Sequence, residues 1–373
     1  MRAIGVILAG GNNQRLQNLT RISGRAVAAM PIGSGFRAID FPLSNMSNSG
    51  IRKVAIIVQF NSSSLHDHLS SSKWWDLGRK KGGLFVFSPY SNSYDNTFFR
   101  GTSNAMYENL SFFSRSNEEY VVISSGDSIY KMDFNNIIIK HIKNNNDITI
   151  AYKEVTDMDV RQFGVIDLDD NENILDFEEK PLETHLSTIS LGVYVIKRKL
   201  LMELLETSNS EGRHDFVKDI IIRYRKVLKL GGYKFESYWS TLNSISSYYK
   251  TNMDFLKKDV RDLFTKKFPY IATKPRDEPP VKYNSIAEVS GSLVGGGSII
   301  DGKVENSLLF SDVYIGERSY IKNSIVMHGS QIGNNCVIEN AILDKSAIIC
   351  DGVKIIGSNE NIIVIEKGRQ VTT

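Results

Sequence analysis

Asp127 stands where proteins with parallel sheets commonly bind a metal ion or a phosphate. It lies in the segment SGDSIYKMDF (residues 125–134), directly after the short apolar run YVVIS. Such a run, rich in β-branched residues, predicts a buried strand. Ligands of open α/β sheets bind at the carboxyl ends of the strands. We therefore expect Asp127 to hold a magnesium ion or to lie beside a phosphate group.

A glycine-containing loop, LAGGNNQRL (residues 8–16), follows another apolar run. Gly10 and Gly11 have no Cβ and reach positive φ cheaply, so the backbone there can approach a phosphate closely. Arg15 can donate two parallel hydrogen bonds to phosphate oxygens. The loop matches neither the Walker A pattern nor the G-x-G-x-x-G fingerprint of dinucleotide-binding proteins. A structural turn without a ligand is the alternative interpretation.

Strand-like and helix-like segments alternate over the first part of the chain, up to about residue 250, which predicts βαβ units and a mainly parallel sheet. The predicted strands are AIGVILAGG, KVAIIVQF, LFVFSPY, YVVISSGD and ITIAYKEV. The predicted helices are SSLHDHLSS, TSNAMYENLSFFS and FNNIIIKHIKN. In this arrangement Asp127 and the loop at Gly10 both lie at the carboxyl ends of strands.

The composition is that of an ordinary globular protein, with 41% hydrophobic and 23% charged residues. The formal net charge of +3 is too balanced to favour a nucleic acid partner. The two cysteines, Cys336 and Cys350, lack metal-ligand spacing and fit a reduced, cytoplasmic setting. The N-terminal run MRAIGVILAGG is too short to span a membrane.

Aliphatic residues near the C-terminus recur with a period that fits neither a helix nor a simple strand. Two phases of this 17-residue spacing are Ile315, Ile332, Ile349 and Val304, Ile321, Ile338. A three-sided coil of short strands, with one inward aliphatic residue on each side, produces such a spacing. We expect roughly four coils of a parallel β-helix between about residues 288 and 357. Irregular strands of a sandwich are the alternative.

Seven distinctive segments follow one another along the chain: LAGG…RL, FRAIDFPLSNMSNSGI, RGTSNAMYEN, SGDSIYKMDF, FEEKP, SLGVYV and HDFVKDII. In these segments and their order, nearly the whole chain resembles the bacterial glucose-1-phosphate adenylyltransferase (ADP-glucose pyrophosphorylase) family. The resemblance implies a Rossmann-like α/β nucleotidyltransferase domain with a mainly parallel, mixed sheet (1–255), a linker (256–285) and a C-terminal left-handed parallel β-helix (286–373). It also implies transfer of the adenylyl group of ATP to glucose 1-phosphate, with release of pyrophosphate, in glycogen biosynthesis, and Mg²⁺ as the cofactor.

The same resemblance implies roles for individual residues, although a packing or turn role is the alternative for each. Arg15 and Asp127 match catalytic positions, and Asp127 also matches a magnesium ligand. The positions that match the nucleotide site are Gly10, Gly11, Gly101, Thr102 and Gly126. The positions that match the glucose 1-phosphate site are Gly164, Glu179, Lys180, Ser190 and Asp215.

The chain departs from the family pattern at the reactive centre. Asn13 replaces the last glycine of the G-G-x-G loop, and Val27 replaces the lysine of the KPAVPFGGKYR segment. Thr241 replaces the second magnesium carboxylate of GYWxDVGT. Two milder changes are Phe99 in FRGT for YRGT and Ser128 in GDS for GDH. The loss of one preorganised stabilising group typically costs on the order of 10²–10³ in rate. Because it lacks a partner carboxylate, Asp127 is expected to be a remnant that holds Mg²⁺ weakly.

These departures resemble the GlgD-type regulatory subunit of the same enzyme. The resemblance implies a hetero-oligomer, a tetramer, in which the chain modulates a catalytic paralogue, with ATP, glucose 1-phosphate or a sugar-phosphate effector as small-molecule partners. Arg15, Asp127 and Lys180 keep open the alternative of a sugar-1-phosphate nucleotidyltransferase that is active by itself. An acyltransferase activity of the β-helix is a further alternative, disfavoured because His328 is the single histidine of the repeat and the coils are few. We expect neither a nucleic acid nor a membrane as a partner.

Two other segments carry polar residues that invite a prediction. His66 and His68 in LHDHL have no third metal ligand nearby and are predicted to form the polar side of a short helix. The C-terminal segment EKGRQVTT is predicted to be a frayed end.

Overall fold

The computed structural model describes residues 2–11, 14–78, 82–89, 91–92, 95–96, 98–156 and 158–372 of the 373-residue chain. The strands of its first part are β1 (Ala3–Leu8), β2 (Pro31–Ile32), β3 (Phe36–Arg37), β4 (Lys53–Ile57), β5 (Gly83–Phe87), β6 (Ser91–Asn92), β7 (Asp95–Asn96), β8 (Tyr120–Ser125), β9 (Ser128–Tyr130), β10 (Ile148–Glu154), β11 (Gly164–Leu168), β12 (Ile174–Glu179), β13 (Thr188–Lys197), β14 (Leu230–Lys234) and β15 (Trp239–Thr241).

The α-helices lie between these strands or directly after them. They are α1 (Gln17–Thr20), α2 (Asp40–Asn48), α3 (Ser63–Leu69), α4 (Thr102–Tyr107), α5 (Leu110–Ser114), α6 (Phe134–Lys143), α7 (Arg198–Ser210), α8 (Ile245–Asp254) and α9 (Lys258–Thr265). Short 3₁₀ turns cover Gln14–Leu16, Val27–Ala29, Ser72–Trp75 and Val160–Gln162, and one π-helix covers Val217–Ile222.

A nine-stranded mixed sheet forms the centre of this part, with the strand order β12-β11-β13-β8-β1-β4-β5; in addition β10 pairs with β13, and β14 pairs with β10. Strands β8, β1, β4 and β5 run parallel, whereas β13 is antiparallel to β8. The five predicted strands are β1, β4, β5, β8 and β10, so the prediction of a mainly parallel α/β sheet is confirmed.

Both faces of the sheet are covered, as the alternating burial of β1 illustrates. Ile4 and Val6 belong to one apolar cluster, and Ala3 and Ile7 belong to a second cluster on the opposite face. Successive side chains of a strand point to opposite faces, so a fully apolar strand such as β1 needs a layer on each side. Because β1 and β8 are fixed from both faces, the loops that follow them have a firm base.

The last part of the chain is a three-sided coil of short parallel strands. Its strands are β16 (Lys282–Tyr283), β17 (Glu288–Ser290), β18 (Leu293–Val294), β19 (Ile299–Ile300), β20 (Lys303–Glu305), β21 (Leu308–Leu309), β22 (Tyr314–Ile315), β23 (Tyr320–Lys322), β24 (Ile325–Val326), β25 (Gln331–Ile332), β26 (Val337–Glu339), β27 (Ala341–Leu343), β28 (Ile348–Ile349), β29 (Lys354–Ile356), β30 (Ile363–Ile365) and β31 (Gln370–Val371). Each pairs with the strand one coil away, in three separate sheets.

The predicted inward residues pair between coils as the 17-residue period requires. Ile315 pairs with Ile332 and Ile332 with Ile349, and all three are buried in the interior of the coil. This architecture is consistent with a left-handed β-helix, so the predicted fold is confirmed.

The β-helix is longer than its sequence period suggested. In its described residues each of the three sheets has five or six strands, which amounts to about five coils rather than four. The predicted range covers β17 to β29, and the additional strands are β16 before it and β30 and β31 after it, where a longer corner separates β29 from β30. The prediction of a frayed C-terminus was wrong, since Gln370 and Val371 extend the sheet of β28.

The β-helix packs directly on the first part of the chain through one shared apolar cluster. Its members from the first part include Leu16, Val27, Met30 and Phe41, and its members from the coils include Leu308, Phe310, Ile325 and Ile342. Between the two parts, helix α9 buries Val260 and Phe264 in the same cluster. The predicted linker 256–285 therefore contains a packed helix, and its boundaries stay a prediction.

No helix of the described residues has both the length and the apolar character needed to cross a membrane.

Candidate functional site

A cavity of about 940 Å³ opens at the carboxyl ends of β1 and β8. Most residues that the sequence singled out lie in its wall. They are Gly10, Gly11, Arg15, Gly101, Thr102, Gly126, Asp127, Gly164, Glu179, Lys180 and Ser190. The structure therefore brings together residues that lie as far apart in sequence as Gly10 and Ser190. Their ligand roles stay predictions.

Strand pairing brings the glycine loop and Asp127 together. Leu8, the last residue of β1, is in register with Ser125, the last residue of β8. Just beyond, the Gly126 amide donates to the Leu8 carbonyl over 2.9 Å. A Cβ on Gly126 would lie 3.2 Å from Ala9, so this close approach of two backbones favours glycine. Asp127 follows directly and faces the cavity beside the loop.

Within the glycine loop, the two glycines have different surroundings. A Cβ on Gly10 would lie 3.2 Å from Gln59, whereas a Cβ on Gly11 would meet nothing within 4 Å. Gly11 is exposed, and its backbone can be approached from the cavity. Asn13, which replaces the last glycine of the family's G-G-x-G loop, falls outside the described residues. The described residues resume at Gln14, and Nη1 of Arg15 donates to Oε1 of Gln162 over 2.8 Å.

The carboxylate of Asp127 is held by its neighbours in the chain. The Ser125 hydroxyl donates to Oδ1 over 2.5 Å, and the Ser128 hydroxyl lies 3.4 Å from the same atom. Burial raises the pKa of Asp127, and these hydrogen bonds and the charge of Lys180 act in the opposite direction. Lys180 is thus near enough to influence Asp127 electrostatically.

Thr241 lies where a second carboxylate was expected. Strand β15 pairs with β9, which puts Thr241 in register with Ser128, and the Leu242 amide donates to the Asp127 carbonyl over 3.0 Å. The chain directly after is fixed by a capping box of α8, in which the side chains of Ser244 and Ser247 each accept from the other's backbone amide. Thr241 is therefore held beside Asp127 and offers a hydroxyl instead of a negative charge.

Val27 replaces the expected cation with an apolar surface. It is 6% exposed and belongs to the apolar cluster shared with the β-helix, while also lining the cavity. In the described part of the wall the basic side chains are those of Arg15, Arg161 and Lys180. None of them is close to Val27 in the chain.

The described wall does not fit a dedicated magnesium site beside Asp127. Mg²⁺ prefers oxygen ligands in near-ideal octahedral geometry and is usually held by one or two carboxylates together with substrate phosphates. The acidic side chains of the described wall are those of Asp127 and Glu179, and Glu179 is paired with Lys180. Asp127 therefore offers one carboxylate, already engaged by Ser125, and we derive no chemical step through a metal ion.

Glu179, Lys180 and Gly164 form a second group of predicted residues in the cavity wall. Gly164 pairs with Glu179 across β11 and β12, and a Cβ on Gly164 would lie 2.4 Å from the ring of Phe177. Burial raises the pKa of Glu179, and Lys180, whose ammonium lies 3.7 Å away, opposes this shift. Lys180 has a positive φ of 53° and an exposed side chain, which leaves its ammonium accessible from the cavity. An exposed ammonium of this kind can bind a phosphate.

Asp215 is the one predicted site residue that is absent from the cavity wall. Its carboxylate caps the π-helix by accepting from the Lys218 amide over 2.8 Å. Its charge still raises the pKa of Glu179, so it lies close behind the wall. The hydrogen bond between its carboxylate and the Lys218 amide is a packing role, and its role in binding glucose 1-phosphate stays a prediction.

Gly101 and Thr102 join the segment around Asp215 to the cavity. The Thr102 hydroxyl accepts from the Phe216 amide over 2.9 Å, and a Cβ on Gly101 would lie 2.3 Å from the His214 carbonyl. The same carbonyl accepts from the amides of Ser103 and Asn104 at the start of α4. These two predicted residues therefore have clear packing roles in addition to lining the cavity.

Sequence reasoning missed Gln162, Asn243 and Arg161. Gln162 Oε1 accepts from Arg15 and also from Nδ2 of Asn243 over 3.1 Å. Arg161 lines the cavity and pairs with Asp159, with 2.8 Å between Nε and Oδ1. A signal for Arg161 and Gln162 was available in the sequence. The resemblance already put Gly164 in the site, and these two residues lie directly before the FGVI segment that contains it.

The prediction for the two histidines of α3 was half wrong. His66 is exposed, but His68 is buried and its Nε2 lies 2.6 Å from Oδ1 of Asp40. Trp75 packs against the His68 ring with 5.5 Å between the ring centroids. His68 is therefore a buried polar residue whose partner comes from another helix.

Two family models match the chain. A model described as "Nucleotidyl transferase" matches residues 4–258, and one described as "GlmU-like, C-terminal hexapeptide" matches residues 280–362. Proteins named glucose-1-phosphate adenylyltransferase from Bacillus cereus, Bacillus mycoides and Bacillus anthracis are each 36% identical to the chain over 375 aligned residues. Each alignment covers 99% of this chain and 99% of the relative. With this full-length similarity and a cavity assembled from the family's characteristic segments, the chain belongs to the glucose-1-phosphate adenylyltransferase family.

Proposed function

We propose that this chain is a GlgD-type, catalytically poor subunit that modulates a catalytic glucose-1-phosphate adenylyltransferase. The reaction in which it takes part joins the adenylyl group of ATP to glucose 1-phosphate for glycogen biosynthesis, in the cytoplasm. The observation that supports this proposal most is Thr241, held in register with Ser128 beside Asp127. The scaffold that presents the second carboxylate is intact, and the carboxylate itself is replaced.

The chemistry explains why this replacement matters. In phosphoryl transfer, bound cations neutralise charge that develops on the transferring group. The described wall has lost a carboxylate at Thr241 and a cation at Val27, and together these losses raise the barrier by ~5 kcal/mol if they add. A cavity with this wall is better suited to binding a nucleotide or sugar phosphate than to turning it over.

The proposed partner is a catalytic paralogue in a hetero-oligomer, a tetramer. ATP, glucose 1-phosphate or a sugar-phosphate effector are the small molecules that the cavity suits. Arg15, Arg161 and Lys180 supply positive charge for phosphate groups, and Gly11 leaves its backbone accessible.

A turnover assay of the purified chain tests the proposal. With ATP, glucose 1-phosphate and Mg²⁺, we expect ADP-glucose formation at a small fraction of the paralogue's rate. Mixing the chain with the paralogue is expected to yield a stable complex with altered kcat or KM for the paralogue. Turnover by the chain alone at a rate comparable to that of the paralogue would refute the proposal.

The second candidate function is an independent sugar-1-phosphate nucleotidyltransferase. It is favoured by the retained Arg15, Asp127 and Lys180 and by Arg161, which adds a cation to the wall. A screen of nucleoside triphosphates against sugar 1-phosphates, with Mg²⁺ or Mn²⁺, separates the two functions. A product formed at a rate comparable to that of a catalytic family member would favour this candidate, and no product from any pair would remove it.

A further inference from the structure

We propose that Gln162 is a positioning residue that competes with a bound nucleotide for Arg15. The observation behind this is a single amide oxygen that accepts two hydrogen bonds from two other segments of the cavity wall. Arg15, beyond the glycine loop, donates over 2.8 Å, and Asn243, beyond β15, donates over 3.1 Å. We call these three side chains the Gln162 bridge.

Gln162 is held in place by contacts within the segment around the turn Val160–Gln162. Gln162 ends the 3₁₀ turn Val160–Gln162, whose cap is the Asp159 carboxylate, which accepts from the Arg161 amide. Gln162 Nε2 lies 3.5 Å from the same carboxylate, which fixes which end of the amide faces Arg15. The next residue, Phe163, packs edge-on against Trp239 at the start of β15, with 5.7 Å between the ring centroids.

The bridge joins three segments that a nucleotide has to separate or rearrange. Gln14 to Leu16 follows the glycine loop, residues 160–162 precede β11, and Asn243 follows Thr241. If a phosphate takes the Nη1 donor of Arg15 that now bonds Gln162, this nitrogen exchanges the Gln162 oxygen for a phosphate oxygen. A hydrogen bond to a charged acceptor is stronger than one to a neutral amide, so the nucleotide displaces the bridge but loses part of its affinity in doing so.

The size of the expected change in ATP affinity follows from the fraction of molecules in which Arg15 does not bond to Gln162. When the competent arrangement is only a fraction of the population, the apparent affinity falls by that fraction. A single hydrogen bond of ordinary strength makes this about 2- to 12-fold. Asn243 adds to the effect by holding the Gln162 oxygen in place. This inference rests on the proposed function only in taking the cavity as the nucleotide site.

The test is a calorimetric titration of the full-length chain with ATP, at fixed Mg²⁺ and without glucose 1-phosphate. Gln162→Leu removes the acceptor at similar volume, and its Kd for ATP is expected to fall about 2- to 12-fold. Gln162→Glu supplies a charged acceptor for Arg15, and its Kd is expected to rise. Gln331→Leu, at an exposed position of β25 in the β-helix, is the matched control and is expected to leave the Kd unchanged.

A double-variant cycle separates this role from a direct contact between Gln162 and ATP. In the background of Arg15→Met, the substitution Gln162→Leu is expected to have no effect on ATP affinity, because its action requires Arg15. Thermal melts of all variants establish that each is folded before its Kd is compared.

The outcomes distinguish this proposal from the function proposed above. A weaker or unchanged affinity of Gln162→Leu, an effect that persists without Arg15, or no ATP binding by any of the proteins would overturn the role of Gln162. None of these results changes the turnover measurement, which by itself decides whether the chain is catalytically poor.

Discussion

The guanidinium of Arg25 and the carboxylate of Asp344 form an ion pair across the junction between the α/β part and the β-helix. Nη2 and Oδ1 are 2.6 Å apart, and the two side chains are 3% and 0% exposed. The Ser23 hydroxyl also donates to Asp344. Removing one member of such a pair leaves an uncompensated buried charge, whereas removing both does not.

Substitution of either member is therefore expected to destabilise the protein strongly. Asp344→Asn and Arg25→Met should each lower the free energy of unfolding by about 3–5 kcal/mol, and the double variant Arg25→Met/Asp344→Leu should recover much of that loss. Urea denaturation followed by circular dichroism measures these changes. Glu288→Gln, in an exposed pair with Lys303, is the matched control and should have an effect below about 1 kcal/mol. A double variant as unstable as the sum of the single ones would contradict this account.

Lys345, next to Asp344, is expected to make stability depend on pH. Burial, reinforced by Arg25, Arg37 and Arg276 and opposed by Asp344, lowers the pKa of Lys345 to about 7. An unfolded lysine keeps a pKa of about 10.4, so between these values the unfolded chain binds more protons. Its contribution to stability therefore increases as the pH rises from about 7 to about 10.

The measurement is a pair of stability curves between pH 7 and pH 9, for the unsubstituted protein and for Lys345→Met. The unsubstituted protein should gain stability relative to this variant as the pH increases. Lys226→Met, at an exposed position, serves as the control and should follow the unsubstituted protein. Parallel curves for the unsubstituted protein and Lys345→Met would show that Lys345 has an ordinary pKa.

Restoring the missing charges at the reactive end is expected to increase turnover. Thr241→Asp adds a carboxylate in register with Ser128, and Val27→Lys adds a cation to the cavity wall. Together they should raise ADP-glucose formation by the isolated chain at least about tenfold, since each such group is typically worth on the order of 10²–10³ in rate. Thr241→Asn is the uncharged control and should give no gain. Equal rates for the Asp and Asn variants would show that the missing negative charge at position 241 does not limit turnover.

Lys180 is expected to bind the phosphate of the sugar. Lys180→Met should weaken glucose 1-phosphate binding about 10- to 100-fold, because a charge-assisted hydrogen bond contributes ~1.5–3 kcal/mol. Its side chain is 66% exposed, so stability should hardly change. Calorimetry with glucose 1-phosphate measures the affinity, and Lys226→Met again provides the comparison. An unchanged affinity for glucose 1-phosphate would show that Lys180 does not bind the phosphate and serves only in the turn, where it has a positive φ.

The sequence was informative wherever the determining contacts are local or periodic. The run before Asp127 is apolar on both faces, and this pattern is enough to predict a buried parallel strand with its ligand side at the carboxyl end. The spacing of Ile315, Ile332 and Ile349 likewise follows from the geometry of one coil. Both predictions depend on residues that are close in sequence or repeat at a fixed interval.

Contacts between distant segments were not accessible to the same reasoning. Gln162 meets Arg15 across 147 residues, and His68 is buried because Asp40, 28 residues earlier, offers a carboxylate. No local pattern encodes such pairs, since a polar residue on a short helix looks the same whether its partner is water or a side chain. The last strands of the β-helix were missed for a different reason, because the longer corner between β29 and β30 breaks the period.

The apolar cluster that contains Leu16, Val27 and Phe41 is completed by Leu308, Phe310 and Ile325 of the coils. A fragment that stops before the β-helix would expose the apolar side chains of this cluster near the glycine loop to water, and such an exposed apolar patch favours aggregation. Truncation is consequently a poor route to an isolated nucleotide-binding module, and deletion of the repeats should impair solubility and ligand binding at once.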